Sequence, residues 1–436
     1  MRTMKDSGVE WIGEIPVEWG TKAIRYVIDK HFSGVWGNDE KNDENDRICM
    51  RIADFNFEKL RFKDIQTEYY TTRNYRKSDI INKTLVRGDL LIEKSGGGEK
   101  TPVGRTVVFR LNNKALFANF MDCIRLKQNY DVEYIKYAFF SLYKRGVTNF
   151  YYSQTTGIQN LNMQRYFREV KLSVPPLTEQ QLIADYLDKK CSEIDSLTTD
   201  INAQIETLEQ YKRSVITEAV TKGLNPNAKM KDSGIEWVGA IPEDWMCLRG
   251  KYILKYMQKP IREDDGVITC FRDGEVTLRL NRREEGFTIS NKEIGYQGID
   301  VGDLVVHGMD GFAGAIGISD SRGKASPVLN VIESNQNKKY IMYYLRSMAY
   351  SDVFLAIATG IRVRSCDLRW NKLADLLYPV PPRKAQDDIV DLIETTLEKT
   401  DFVITEKKQQ LEILADYKKS LIYEYVTGKK EVKPNE

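Results

Sequence analysis

The chain has 436 residues, of which 42% are hydrophobic and 29% are charged, and its formal net charge is +2. This length suits two to four domains, and the composition is that of an ordinary soluble protein. No apolar run approaches the roughly 18 residues of a membrane span, and the N-terminus lacks the apolar core of a secretory signal, so we expect a cytoplasmic protein without membrane contact. Because the net charge is small, binding to DNA would require local clusters of positive charge.

The cysteines and histidines give little support for metal or histidine chemistry. The six cysteines are far apart and form no C-x-x-C pair, and the only histidines are His31 and His307. Zinc sites and disulfide frameworks need clustered ligands, and Ser-His catalysis needs a suitable histidine. We therefore predict reduced thiols and no metal site.

The N-terminal motif at residues 4–19, MKDSGVEWIGEIPVEW, occurs again at residues 230–245 as MKDSGIEWVGAIPEDW. Eleven of the sixteen positions are identical, so the chain is a tandem duplication. Each copy consists of the motif, a globular segment and a long helix. The predicted boundaries are 1–173 for the first globular domain, 174–229 for the first helix, 230–379 for the second globular domain and 380–436 for the second helix.

The two globular segments are predicted to be compact modules of mixed α and β structure, which makes the fold class α+β. Short β-rich runs alternate with turns rich in Gly and Asn, and helices are predicted near 132–142 and 338–348. The Gly-Asp-Leu of residues 88–90 returns at 302–304, but most of the segment has diverged. A retained frame with diverged inserts indicates two different readers for an asymmetric, two-part ligand.

Three stretches of the first segment have the composition of a DNA-binding surface. Residues 69–77 interleave aromatics with Arg and Lys, residues 94–101 form a Gly-rich loop suited to phosphates, and residues 151–160 offer amides that can pair with adenine edges. A solvated polar surface explains any single residue equally well, but the clusters recur at matching places in the second segment. The predicted DNA-binding residues are Arg73, Tyr75, Arg76, Lys77, Lys94, Ser95, Gly96, Gly97, Lys100, Ser153, Gln154, Thr155, Gln159, Asn160, Arg279, Arg282, Arg283, His307, Met309, Asp310, Arg362 and Arg364.

The stretch from residue 174 onwards predicts a long amphipathic helix. Thr178 and Gln181 have the spacing of a capping box, apolar residues recur at steps of three, four or seven, and Gly223 marks the end. The same pattern returns 206 residues later, so we expect the two helices to pair antiparallel; the alternative is that each packs on its own domain. The predicted core of the pair is Leu197, Ile205, Leu208, Val215, Val403, Leu411, Leu414 and Leu421.

No stretch of the sequence forms a convincing catalytic site. The Asn/Asp-Pro-Pro-aromatic box of amino-group methyltransferases is missing, because both Pro-Pro pairs follow Val. The Gly-rich run at 311–317 does not have the G-x-G-x-x-G spacing, and acid-x-Lys triplets such as 39–41 arise by chance in so charged a chain. We therefore predict a binding subunit and no catalytic residues.

On these features the chain resembles the specificity subunit of type I restriction-modification systems. The resemblance covers the duplicated frame, the Gly-Asp-Leu landmark with its Gly-rich loop, the Thr-Gly-Ile turn at residues 156–158 and 359–361, and the Val-Pro-Pro-Leu-Thr-Glu-Gln start of the first helix. The second copy departs from this pattern with Val-Pro-Pro-Arg-Lys-Ala-Gln, so its helix is expected to fray for lack of a Thr cap.

The resemblance implies two target-recognition domains that read a bipartite double-stranded DNA sequence, joined by helices that dock two methylation subunits. Restriction and translocase subunits would complete the assembly. This chain would hold no cofactor, while its partners would use S-adenosylmethionine, ATP and Mg²⁺.

One helix over residues 193–220 would span roughly 42 Å, close to the ~34–36 Å between major-groove sites one turn apart. Two alternatives stay open: a single-chain restriction or modification enzyme with an unrecognised motif, and a coiled-coil scaffold that binds protein only.

Overall fold

The computed structural model describes residues 2–63, 69–155, 157–282, 293–357 and 368–433, the side chain of Thr155 excepted. Contacts divide the chain into two units. The first comprises Met1–Ile201 together with Gln409–Glu436, and the second comprises Asn202–Lys408. Each unit therefore contains one globular segment and the end of the long helix that belongs to the other repeat.

The first unit is built mainly on one mixed sheet with a helix against it. Its strands are β1 (Met4–Asp6), β2 (Glu14–Pro16), β3 (Gly20–Ala23), β4 (Ile28–Ser33), β5 (Asp46–Met50), β6 (Phe55–Asn56), β7 (Arg61–Phe62), β8 (Thr72–Asn74), β9 (Leu90–Glu93), β10 (Ser95–Gly96), β11 (Thr106–Val108), β12 (Ala115–Phe117), β13 (Met121–Leu126), β14 (Tyr152–Thr155), β15 (Ile158–Leu161) and β16 (Lys171–Val174). Its helices are α1 (Ile24–Val27), α2 (Lys77–Lys83), α3 (Val132–Lys144), α4 (Met163–Glu169) and the N-terminal part of α5 (Leu177–Lys222).

The large sheet of the first unit has the strand order β4-β13-β9-β11-β7-β6. Its central strand β9 pairs with β13 and β11. The strand is buried along its whole length because Leu90 and Ile92 pack into one hydrophobic cluster and Leu91 packs into another on the opposite face. The apolar face of α3 contributes Tyr134, Ile135 and Phe139 to the core beside this sheet. Two smaller sheets, β12-β5-β8 and β10-β15-β14, carry the predicted binding stretches.

The second unit repeats this plan. Its strands are β17 (Met230–Asp232), β18 (Ala240–Pro242), β19 (Met246–Arg249), β20 (Leu254–Met257), β21 (Ile268–Cys270), β22 (Val276–Leu278), β23 (Gln297–Ile299), β24 (Leu304–His307), β25 (Ile316–Ile318), β26 (Gly323–Ala325), β27 (Leu329–Ser334) and β28 (Leu377–Val380). Its helices are α6 (Gly250–Ile253), α7 (Lys338–Tyr350), α8 (Val353–Ala356), α9 (Trp370–Asp375) and the N-terminal part of α10 (Arg383–Val426). The sheet order β20-β27-β24-β25 matches β4-β13-β9-β11 of the first unit, and α7 takes the place of α3.

The two long helices run antiparallel where they meet within each unit. In the first unit the Tyr186 and Tyr425 ring centroids are 4.6 Å apart, and Lys418 Nζ lies 2.6 Å from Asp195 Oδ1. In the second unit Lys212 Nζ lies 2.6 Å from Asp401 Oδ1. The α+β class and the antiparallel pair of long helices are confirmed. Among the described residues, no helix has both the length and the apolar composition that crossing a bilayer requires.

The predicted core of this helix pair is only partly correct. Leu421 is buried and Leu414 packs against the core of the first unit. Ile205, Leu208, Val215 and Leu411 are half-buried. Leu197 and Val403 are 51% and 40% exposed, so their assignment to the core is wrong. Of the apolar residues near these two positions, Ile194 and Ile404 are buried.

The predicted capping box at Thr178 is also wrong. Helix α5 begins at Leu177, and the Pro176 carbonyl accepts the N–H groups of Glu179 and Gln180. The buried Gln180 side chain fixes this turn, because its Nε2 donates to the Pro175 carbonyl at 2.9 Å and its Oε1 accepts from the backbone N–H of Asp131 at 2.9 Å.

The second copy keeps the same anchor without a threonine. Gln386 Nε2 donates to the Pro381 carbonyl at 2.9 Å, and Gln386 Oε1 accepts from the backbone N–H of Asn337 at 2.9 Å. Helix α10 therefore starts at Arg383, the position equivalent to Leu177, and the expected fraying does not occur.

Candidate nucleic-acid interface

Two of the predicted binding stretches come together in the sheet β10-β15-β14. Ser95 of β10 lies opposite Asn160 of β15, and Asn160 lies opposite Ser153 of β14. Residues opposite each other in antiparallel strands point to the same face, so the three polar side chains form one row. Ser153, Gln154 and Asn160 are exposed. The fold thus joins the Gly-rich loop to the amide-rich hairpin.

Gln159, unlike Ser153 and Asn160, has a structural role in the interior of the first unit. Its side chain is buried, and its Oε1 accepts the backbone N–H of Val103 at 3.1 Å. Gly97 packs so closely that a Cβ there would lie 2.9 Å from Gln159 Oε1. The predicted DNA contact of Gln159 is therefore wrong, because strand alternation turns it inward. Gly96, with φ of +123°, occupies a backbone conformation that favours glycine.

Lys94 is held by a buried carboxylate. Its Nζ lies 2.7 Å from Asp122 Oδ1 and donates to Ser33 Oγ at 2.8 Å, and His31 Nε2 lies 2.7 Å from Asp122 Oδ2. Burial opposes ionisation of Asp122, but hydrogen bonds from His31, Lys94 and Ser33 outweigh it and lower the pKa of Asp122 to about 2. The cluster fixes the base of the Gly-rich loop, whereas Lys100 at its far end is exposed.

The stretch 69–77 divides between core and surface. The Tyr75 ring is buried in a cluster with Leu116 and Phe117, so its predicted contact with DNA is wrong. The Arg73 guanidinium lies 4.9 Å from the ring centroid of Trp36 and 2.6 Å from Asp39 Oδ1.

Arg76 and Lys77 fall where helix α2 begins, and both are exposed. Lys77 Nζ lies 3.2 Å from Glu44 Oε1. The two side chains can therefore face a ligand at the surface.

In the second unit one predicted cation, Arg282, lies between two carboxylates. Arg282 lies 2.8 Å from both Asp273 Oδ2 and Glu275 Oε2 and stacks on the Phe271 ring at 4.2 Å. Arg279 Nε donates to Thr269 Oγ1 at 3.2 Å. Arg283, Arg362 and Arg364 lie outside the described residues.

His307 forms the end of strand β24 and closes a turn. Its Nδ1 accepts the backbone N–H groups of Met309 at 3.2 Å and Asp310 at 2.9 Å. Desolvation lowers the pKa of His307, although Asp310 acts in the opposite direction. Met309 is exposed and Asp310 pairs with Arg272 at 2.9 Å. His307 thus shapes the turn that presents Met309.

The Gly-Asp-Leu landmark has a structural role that the sequence did not lead us to predict. Arg125 makes two hydrogen bonds of 2.8 Å to the buried carboxylate of Asp89, which also accepts the Val86 N–H. In the second unit Lys259 takes the cation's role and donates to Asp303 at 2.6 Å. The recurrence of Gly-Asp before a β-rich run in both segments is the sequence feature from which this structural role could have been predicted.

The chain is similar in sequence to one group of proteins. The family model described as type I restriction modification DNA specificity domain matches residues 34–207. The putative type I restriction enzyme MjaX specificity subunit of Methanocaldococcus jannaschii is 24% identical over 434 residues, covering 97% of this chain and 96% of that protein. The MjaVIII specificity subunit of the same organism is 34% identical over 181 residues, covering 40% of this chain and 38% of that protein.

Solved structures show the same fold. A chain from a structure concerning complex assembly and conformational transition of the type I R-M system has a TM-score of 0.67 at 10% identity, covering 95% of this chain and 99% of that one. The HsdS subunit from Thermoanaerobacter tengcongensis has a TM-score of 0.50 at 11% identity, covering 95% of this chain and 98% of that one. The chain is thus similar in sequence to type I restriction-modification specificity subunits along nearly its whole length, and it shares the fold of the solved structures.

Proposed function

We propose that the chain recognises DNA for a type I restriction-modification complex and that its two units read the two halves of an asymmetric target. The observation that carries this proposal is one framework used twice with different surfaces. Buried aspartates hold the turn before the central strand in both units, as Asp89 and Asp303. The exposed side chains differ, with the amides of β14 and β15 in the first unit and Arg282 among carboxylates in the second. A fixed frame with different surfaces suits two different half-sites.

Catalysis is assigned to partner subunits in this proposal. Two methylation subunits would dock on the chain and use S-adenosylmethionine, and restriction and translocase subunits would use ATP and Mg²⁺. The chain itself would hold no cofactor and carry no catalytic residue. The sequence similarity to specificity subunits supports this division of labour.

The long helices would set the spacing between the half-sites. Helix α5 has 46 residues, which corresponds to roughly 69 Å at 1.5 Å per residue. Inserting four residues after Gln204 adds about one helical turn and should change the spacing of the recognised half-sites. Unaltered spacing would refute this role of the helices.

The main test is to express the full chain with its methylation subunits and to sequence the methylated genomic sites. We expect one bipartite, asymmetric sequence, and we expect DNA affinity to fall steeply with salt because Lys and Arg contact phosphates. The purified chain alone should neither cut nor methylate DNA; either activity would favour a single-chain enzyme. Failure to retain DNA even with partners present would favour a protein-binding scaffold.

A further inference from the structure

The hairpin formed by β14 and β15 lies in an unusually uncharged stretch. Residues 146–164 contain no Asp, Glu, Lys or Arg, although 29% of the chain is charged. Contacts to phosphates come largely from Lys and Arg, whereas sequence is read by neutral hydrogen-bonding groups and apolar groups at base edges. The composition of this ribbon therefore fits base edges better than phosphates.

One face of the ribbon is presented to solvent. Along β15, Ile158 and Asn160 are exposed while Gln159 and Leu161 are buried, which is the alternation of a half-buried strand. Ile158 is 48% exposed. Asn160 shares its row with Ser153 of β14. The outer face thus combines a branched apolar side chain with hydrogen-bonding groups.

The ribbon is anchored so that this face has a fixed orientation. The Leu161 N–H donates to the Lys94 carbonyl at 2.7 Å, and the Asn162 N–H donates to the Tyr151 carbonyl at 2.8 Å. Ser95 Oγ donates to Asn160 Oδ1 at 2.7 Å, which fixes the amide. With Oδ1 engaged, the group that Asn160 offers to a ligand is its Nδ2 donor. Side chains held in this way suit precise recognition.

We propose that this ribbon enters the major groove, where Ile158 contacts the C5 methyl of a thymine and the Asn160 amide donates to a base acceptor such as guanine O6 or thymine O4. The inference rests on the proposed function and names the part of the first unit that reads bases. The major groove is about 12 Å wide and admits a two-stranded ribbon, and apolar side chains are its usual readers of the thymine methyl. Ile158 and Asn160 read neighbouring bases because they lie two residues apart on one face.

The first test removes the methyl groups one at a time. Once the methylated sites are known, a series of duplexes is made in which a single thymine of the site is replaced by uracil. The affinity of the full chain with its methylation subunits is measured on each duplex. For the unmodified chain we expect one replacement, in one half-site, to weaken binding by about four-fold, as loss of one buried methyl predicts. Ile158→Ala should weaken binding to the thymine duplex, and the difference between thymine and uracil at that position should disappear.

The second test removes the amide donor. Asn160→Asp replaces the Nδ2 donor by a carboxylate oxygen, which can only accept. It should weaken binding roughly ten-fold and shift the base preference next to that thymine from guanine or thymine towards cytosine or adenine, which present donors. The other half-site should keep its preference. Ile261→Ala is the matched control, because Ile261 is 44% exposed, lies outside every stretch predicted to bind DNA, and should leave affinity unchanged.

The outcomes separate the two proposals. If the complex binds a bipartite site but Ile158→Ala keeps every thymine-to-uracil effect, or Asn160→Asp keeps the base preference, the ribbon is not the reader and the proposed function stands. A half-site without thymine overturns the role of Ile158 in the same way. If the unmodified complex shows no sequence preference, both proposals fail. Unchanged melting temperatures of the variants, expected for exposed side chains, show that lost binding is not lost folding.

Discussion

The Tyr134 hydroxyl lies 2.9 Å from the Val426 carbonyl, to which it donates across 292 residues of sequence. The same hydroxyl lies 3.0 Å from the Ser173 carbonyl. In the second unit the Tyr340 hydroxyl lies 3.1 Å from the Val220 carbonyl and 2.9 Å from the Pro379 carbonyl. Carbonyls at the end of a helix have no partner within it, so in each unit a buried tyrosine satisfies the last turn of the other repeat's helix.

Replacing Tyr134 by Phe should destabilise the first unit. The hydroxyl has one proton to share between the Ser173 and Val426 carbonyls, and the Val426 carbonyl also accepts from Ser173 Oγ. The variant therefore loses one buried hydrogen bond, which costs about 1 kcal/mol of the free energy of unfolding. Differential scanning calorimetry measures this loss. Tyr252→Phe is the control, since Tyr252 is exposed and should change the stability little. Equal stability of Tyr134→Phe and the unmodified chain would contradict the assigned hydrogen bond.

Removing Asp195 should cost more stability than removing the equivalent Asp401. Each pairs with a lysine at 2.6 Å, but the Lys418 side chain is only 7% exposed and its Nζ also donates to the Glu58 carbonyl at 2.8 Å. Asp195→Ala leaves a buried ammonium without its carboxylate, which costs about 3 kcal/mol or more, whereas Asp401→Ala affects a solvated pair worth about 1 kcal/mol or less. Chemical denaturation of both variants gives the comparison, and equal losses would contradict it.

The Asp122 cluster predicts loss of stability in acid. Because the folded pKa of Asp122 is about 2, below its ordinary value of 3.8, the folded state binds the proton less readily than the unfolded state. Its contribution is complete above pH 3.8 and is lost as pH falls from there towards 2. Asp122→Asn should lower stability at neutral pH and should make the fall between pH 4 and 2 shallower. A denaturation series across this range checks both effects.

His307 predicts a second pH effect, in the second unit. Its folded pKa lies below the ordinary value of 6.5 because of desolvation, so protonation favours the unfolded state. Stability should therefore fall as pH decreases below about 6.5, and it should level off once the folded histidine also takes up its proton. His307→Gln removes the titrating group and should flatten this part of the profile. An unchanged slope between pH 7 and 5 would mean that His307 does not titrate as described.

Much of the architecture was predictable because it repeats. The duplicated motif, the helices at residues 132–144 and 338–350 and the long amphipathic helices follow from patterns that local physics imposes on sequence. The binding stretches were less predictable. The buried Tyr75 and Gln159 have the same residue types as neighbours that are exposed, and composition alone does not give the side of a strand that faces the core.

The sequence by itself determined the duplication, the helical periods and the residue types of the stretches predicted to bind DNA. Only the tertiary structure decided which side of each period is covered, and it exposed Leu197 while burying Lys418. The physical reason is that periodicity is set by the backbone geometry of one segment, whereas burial depends on what packs against it. For Lys418 the neighbours are Asp195 and Glu58, which lie more than 200 residues away along the chain and form the hydrogen bonds that make its burial tolerable.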